Sequence, residues 1–210
     1  MFRRVAVLAA LTLTATAGCA EKTEPAASPS PAPSASASAS PVAGGAPWYD
    51  EVAPAAAGTT VGPEGSACPL PMTFSVPPKW KVEAVKVADA KIGPALMLCE
   101  IDAKPAGHIG FLRVWRIEGA KPLDPQVTVD KYIAGYGKEA KEKQYRRTKA
   151  GSLDAYEATW IEEDGSRERA LVVSTLYGRV MLSLESAGDD EFAAMLPAYL
   201  SAKSTAALPK

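Results

Sequence analysis

The sequence predicts an α+β fold, an antiparallel β-sheet with helices packed on its faces. Two observations carry this. Apolar segments follow one another in the order strands, helix, strands, helix, and a sheet covered by helices buries all of their apolar sides. Most connections are turns of a few residues, too short for the crossovers that parallel strands require.

Residues 72–76 read as a short strand, stopped by Pro77 and Pro78. Residues 80–87 alternate valine and alanine with charges and give a second strand. A denser apolar strand over 95–103 carries Leu96, Met97, Leu98 and Ile101, and 104–108, with Pro105 and Gly107, is a turn. Residues 109–117 are apolar on both faces, as in a central strand covered from two sides. The stretch from Pro122 to Pro125 breaks the run. Val129, Tyr132, Ile133 and Tyr136 then fall at helical spacing, with Lys138, Lys141 and Glu142 following, so an amphipathic helix of about four turns is expected. Strands follow over 144–149 and 153–161. Another pair, 168–176 and 179–184, turns about Tyr177-Gly178, and Asp164-Gly165 is a hairpin signal. Asp189 reads as the cap of a last helix with Phe192, Met195, Leu196, Tyr199 and Leu200 inward, kinked or split by Pro197.

The chain has 210 residues and a net charge of −1. Residues 1–18 contribute +2, residues 19–66 contribute −4, and 67–210 contribute +1. A nearly neutral domain offers no electrostatic footprint for nucleic acid. At 144 residues, 67–210 forms a single globular domain that needs no metal to be stable. Residues 19–66 read as a disordered Pro/Ser/Ala-rich tether. Positions 25–43 are almost wholly proline, alanine and serine, which cannot bury enough apolar surface to offset their ordering entropy. Within it Trp48 and Tyr49 either dock on a partner or pack on their own domain.

Arg3 and Arg4 precede a short apolar run over 5–17, the pattern of a secretory signal rather than a membrane span. The run ends at Thr16-Ala17-Gly18-Cys19, which resembles the lipobox of bacterial lipoproteins. The resemblance implies that residues 1–18 are a signal peptide, cleaved before Cys19, and that the Cys19 thiol carries a diacylglyceryl group. Two acyl chains, at roughly 0.8 kcal/mol per buried methylene, hold a soluble domain to a membrane where one is marginal. The expected location is therefore the extracytoplasmic face of the cell membrane. In that compartment Cys68 and Cys99 are an even pair. They either form a bridge, worth ~3–4 kcal/mol by loop closure, or remain two buried thiols.

Phe74-Ser75-Val76-Pro77-Pro78-Lys79-Trp80, an apolar strand followed by proline and tryptophan, resembles the opening of Mog1/PsbP-like domains. Lys79 stands where those domains often have glycine. Gly151-Ser152-Leu153-Asp154-Ala155, ahead of a hairpin and a closing helix, fits the same plan. With the lipobox and the tether, the whole resembles actinobacterial lipoproteins of the LpqN type. This implies an α/β/α sandwich and a non-enzymatic accessory or binding role, with no catalytic residue to carry over.

Few groupings suggest chemistry. His108 is the single histidine, so a site built on several imidazoles is excluded. It sits in a glycine-flanked turn with no Gly-x-Ser-x-Gly elbow in the chain, and reads as structural or exposed. Glu162, Glu163 and Asp164 read as a solvated hairpin tip rather than a calcium site. The six basic residues from Lys138 to Lys149 read as a wet helix face rather than a lipid-binding patch. Arg113, between Phe111 and Trp115, either pairs with a carboxylate or lines a surface pocket with Trp115, with core packing of the two aromatics the favoured reading. No cofactor is expected. The expected function is a membrane-anchored binding or adapter module engaging an envelope protein. The alternatives are a carrier of an apolar ligand or lipid and, third, a hydrolase using His108.

Overall fold

The structure is a computed structural model; it describes residues 45–87, 90–119, 123–137 and 139–209. Among the described residues ten strands and two α-helices follow one another as β1 (Thr59–Val61), β2 (Phe74–Val76), β3 (Lys81–Ala84), β4 (Lys91–Ile92), β5 (Ala95–Asp102), β6 (Phe111–Ile117), α1 (Pro125–Gly135), β7 (Lys141–Ala150), β8 (Leu153–Ile161), β9 (Arg167–Thr175), β10 (Gly178–Glu185) and α2 (Asp189–Ser204). Eight strands make one sheet in the order β3-β5-β6-β10-β9-β8-β7, with β4 also paired to β5. All of its pairings are antiparallel, so the fold is α+β.

Strand alternation divides the core in two. Leu112, Val114, Leu171, Val173, Val180, Leu182 and Leu184 point to one face, where α2 covers them with Phe192, Met195, Leu196 and Tyr199. Trp115, Ala158, Trp160, Ala170, Val172 and Met181 point to the other, under Val129, Tyr132 and Ile133 of α1. The α2 face also receives the β1–β2 ribbon. A bridge from Thr73 to Ala207 and a bond from the Ser75 N–H to Thr205 Oγ1 (2.8 Å) fasten that ribbon to the end of α2.

Several elements differ from expectation. The folded body begins before residue 67. Residues 45–66, expected as tether, fold onto the domain through β1 and through Trp48, Tyr49, Asp50 and Val52. The first helix ends at Gly135, and Gly137, at φ 68°, turns the chain away. The basic segment that follows is strand β7, at the sheet edge, not a helix face. Charge along an edge strand blocks further strand pairing. Pro125 opens α1 rather than merely breaking the chain, and Asp124 caps it by accepting from the Gln126 N–H (2.8 Å). Gly188, not Asp189, is the cap position of α2, and that helix runs through Pro197 without splitting. Lys79 sits at φ 71°, a left-handed conformation that glycine adopts without steric cost.

Candidate functional site

Cys19 lies outside the described residues. Cys68 and Cys99 are disulfide-bonded, with Cα atoms 6.0 Å apart. The bridge ties the segment entering β2 to β5, and both cysteines are buried. His108 lies 3.6 Å from a Glu191 carboxylate oxygen and near the Trp80 ring. Among the described residues no group of three or more His, Cys, Asp or Glu is arranged to hold a metal ion. No described helix is long and apolar enough to cross a membrane.

Of the two alternatives for Arg113, the carboxylate pairing is present and the surface pocket with Trp115 is not. Arg113 donates to Glu100 (2.7 Å), forms an ion pair with Glu185 and lies over the Phe111 ring. Trp115 is fully buried; its indole donates to Ser183 Oγ (2.9 Å) and its ring packs edge-on against Tyr132. It lines no surface, because Met181 and α1 close over it.

Two clusters of charged groups stand out inside the domain, one on each face of the sheet. On the α2 face Glu157 is completely buried. One of its oxygens accepts from Arg169 Nε (2.9 Å) and the Tyr199 hydroxyl (2.9 Å). The other accepts from Arg146 Nε (2.7 Å) and Lys203 Nζ (2.8 Å). Arg146 also pairs with Asp50 and stacks under Trp48, whose carbonyl accepts from Arg169. Burial works against the charge on Glu157, but Arg169, Lys203 and Arg146 outweigh it and hold its carboxyl below the usual range. Burial likewise holds the Lys203 ammonium below its ordinary value. Every lone pair that Glu157 can offer is directed at a donor of the same chain. This cluster therefore fastens residues 48–50 to the sheet around an anion whose acceptor positions are all filled.

The cluster on the α1 face is different. A cavity of about 180 Å³ lies between the end of α1 and the β8–β9 hairpin, lined by Tyr132, Tyr136, Trp160, Glu162, Glu168 and Glu185 among others. Its aromatic wall is continuous: Tyr132 meets Tyr136 and Trp160 edge to face, with centroids 5.2 and 6.3 Å apart. Glu185 Oε1 accepts from the hydroxyls of Tyr132 (3.1 Å), Tyr136 (3.0 Å) and Ser183 (3.1 Å), while Arg113 holds its other oxygen.

Glu162 and Glu168 are each only 7% exposed. Glu162 Oε1 accepts from the Trp160 indole (2.7 Å) and Glu168 Oε1 from the Ser186 N–H (3.4 Å). The second oxygen of each is buried without a hydrogen-bond partner. Burial pushes the Glu168 carboxyl up to about 9; the Ser186 N–H and Arg113 oppose this rise, while Glu162 and Asp164 add to it. Such an arrangement accepts hydrogen bonds and positive charge, and repels anions.

Sequence reasoning missed this site. It took Glu162 as part of a solvated tip, whereas only Glu163 and Asp164 are exposed there. The signal was nonetheless present. Ala158, Trp160 and Glu162 share one strand face, as do Glu168, Ala170 and Val172. Continuing the two-residue period of each apolar face by one step puts both glutamates inside.

No match is found among curated proteins. The solution structure of cyanobacterial PsbP (CyanoP) from Synechocystis sp. PCC 6803 is similar at 13% sequence identity and a TM-score of 0.49, over 72% of this chain and 92% of that one. A family described as "Uncharacterised lipoprotein" matches residues 38–206, and the chain belongs to that family.

Proposed function

We propose that this protein is a non-catalytic binding module, held at the extracytoplasmic face of the membrane by lipid on Cys19, that takes its ligand in the cavity beside α1. The observation that carries the binding role is the pair of buried carboxylate oxygens, on Glu162 and Glu168, that line one cavity without a partner. A chain that gains nothing from such groups loses stability by keeping them, since an unpaired buried acceptor costs about 1–3 kcal/mol. Membership of a lipoprotein family supports the anchor, as does the Thr16-Ala17-Gly18-Cys19 ending of the apolar run. The tether and the Phe74–Trp80 pattern support an assignment to the LpqN type.

The second reading, a carrier of an apolar ligand, is supported by a groove of about 290 Å³ in which Tyr49 and Val52 face Phe192, Ala193 and Leu196 of α2. Its rim carries Arg167 and Asp189, and no buried polar group there lacks a partner. The acidic cavity is therefore the better-supported site.

Native mass spectrometry of the protein extracted from its own envelope, after labelling with radioactive palmitate, tests both halves. The expected result is label on the parent and none on Cys19→Ala, with a non-covalent adduct on the parent that Glu168→Gln loses. An unadducted parent would overturn the binding role. A Cys19→Ala variant that fractionates with the membrane would overturn the anchor.

A further inference from the structure

We propose that the cavity beside α1 is a receptor for a primary ammonium group, with Glu162 and Glu168 as its hydrogen-bond acceptors and Tyr132, Tyr136 and Trp160 as its aromatic wall. This deepens the binding-module reading and rests on it.

An ionised carboxylate only accepts hydrogen bonds; Glu168 joins Glu162 in that state once it gives up its proton, so what completes Glu162 Oε2 and Glu168 Oε2 together is a positively charged donor. An anion would meet those two carboxylates together with Glu185 and Asp164, all lining the cavity, and Arg113 is already committed to Glu100 and Glu185. A neutral apolar ligand would leave both oxygens unpaired in a drier cavity, the costliest outcome for a buried polar group. A divalent metal needs more oxygen ligands held around one point, and the described residues offer no such group. An ammonium supplies three donors and one positive charge, and the π-faces of tyrosine and tryptophan attract cations. At about 180 Å³ the cavity is smaller than the roughly 300 Å³ of a drug-sized site. It suits an ammonium head and a short alkyl stem, which a free alkylamine and a lysine side chain share.

The site also has a signature of its own. Glu168 is pushed up to about 9 by burial, so an ammonium that needs the ionised form displaces a proton from it. The groups facing Glu168 are Glu162 and Asp164 from the β8–β9 hairpin, Arg113 from β6, Glu185 from β10, and the two tyrosines of α1. Burial raises both phenols, so they remain protonated through neutral pH. Binding is expected to release a proton at pH 7 and to tighten as pH rises towards 9.

Isothermal titration of the purified protein with n-butylammonium chloride, with a capped lysine (Nα-acetyl-lysine-N-methylamide) and with calcium chloride tests this. Titration in buffers of different ionisation enthalpy reads the proton release. The expected result is butylammonium binding with proton release, weakened about tenfold or more in Glu168→Gln, since a hydrogen bond to a charged group is worth ~1.5–3 kcal/mol. Glu162→Gln is the second variant, used if the first does not fold as judged by its circular dichroism. Binding of butylammonium alone assigns the site to free amines, and binding of the capped lysine as well assigns it to lysine side chains too; either supports the proposal. Calcium binding without amine binding, no binding of any of the three, or equal affinity in parent and variants would overturn it. If a native adduct sensitive to Glu168→Gln is found while the amines fail, the ammonium assignment falls and the binding module stands.

Discussion

At the scale of single residues the domain holds two buried glutamates with opposite fates. Glu157 is surrounded by three cations and a tyrosine hydroxyl, and its carboxyl is held below the usual range. Glu168 is surrounded mainly by other acids and aromatic rings and is pushed up to about 9. The linkage signs differ accordingly. A lowered carboxyl contributes stability that is present above its unfolded value of 4.5 and is lost as pH falls through the lowered folded value. A raised carboxyl contributes stability that is present below 4.5 and is lost as pH climbs towards about 9. Glu157→Gln leaves Arg146, Arg169 and Lys203 without their shared anion. The expected cost at pH 7 is about 3–5 kcal/mol, the usual result of removing one partner of a buried ion pair. Urea unfolding at a series of pH values checks it: the deficit of Glu157→Gln should shrink below pH 4.5. A deficit unchanged down to pH 2 would mean that packing, not charge, carries the loss.

At the scale of elements, the position of α1 decides whether the cavity exists, because α1 supplies Tyr132 and its last turn leads to Tyr136. Two glycines set that position. A Cβ on Gly135 would lie 2.8 Å from the Gly93 nitrogen, and one on Gly93 would lie 2.5 Å from the Lys131 carbonyl oxygen. Helix and β4–β5 turn thus meet backbone to backbone. Gly93, at φ 54°, is also left-handed. Gly93→Ala should therefore cost ~1–2 kcal/mol for the backbone conformation alone, and more for the clash. It should also alter the near-ultraviolet circular dichroism of the tyrosines as α1 shifts. Gly137→Ala is the control: φ is 68° but nothing lies within 4 Å of the added carbon, so only the conformational cost applies and the tyrosine signal should be retained.

The same elements show what was legible in the sequence. Strands β5, β6, β8, β9 and β10 and helix α2 were readable because each carries an uninterrupted apolar period. Strand β7 was not. Its residues Lys141, Lys143, Arg147 and Lys149 belong to an edge strand, and an edge strand with one solvated side has charges where a helix face would also have them. Strand β1 was hidden because only Val61 of its three residues is buried, and β4 because two residues have no period. The α1 cavity escaped because burial of Glu162 and Glu168 runs against the expectation that acids face water; only the strand register placed them inward.

At the scale of the whole molecule, the boundary between tether and domain sets both reach and stability. Composition alone put that boundary at residue 67, since residues 45–66 contain five alanines, three prolines and four glycines. Yet these residues bring three anchors to the α2 face: Trp48 over Arg146 at 4.2 Å, Asp50 paired with Arg146, and Val61 buried at 1% exposure within β1. The folded domain accordingly includes residues 45–66. Truncation separates the two boundaries. A chain beginning at residue 45 keeps all three anchors and should unfold at the same urea midpoint as the chain beginning at Cys19. A chain beginning at residue 67 keeps the disulfide but loses the anchors. Burying a side chain such as Val61 contributes ~1.5–3 kcal/mol, and a desolvated cation–π contact such as that of Trp48 about 2 kcal/mol. The shorter chain should therefore be less stable by more than about 3 kcal/mol. Its deficit should also overlap that of Glu157→Gln rather than add to it, because Arg146 belongs to both networks and coupled residues do not contribute independently. Full additivity of the two losses would mean that residues 45–66 stabilise the domain only through β1, without the ion network.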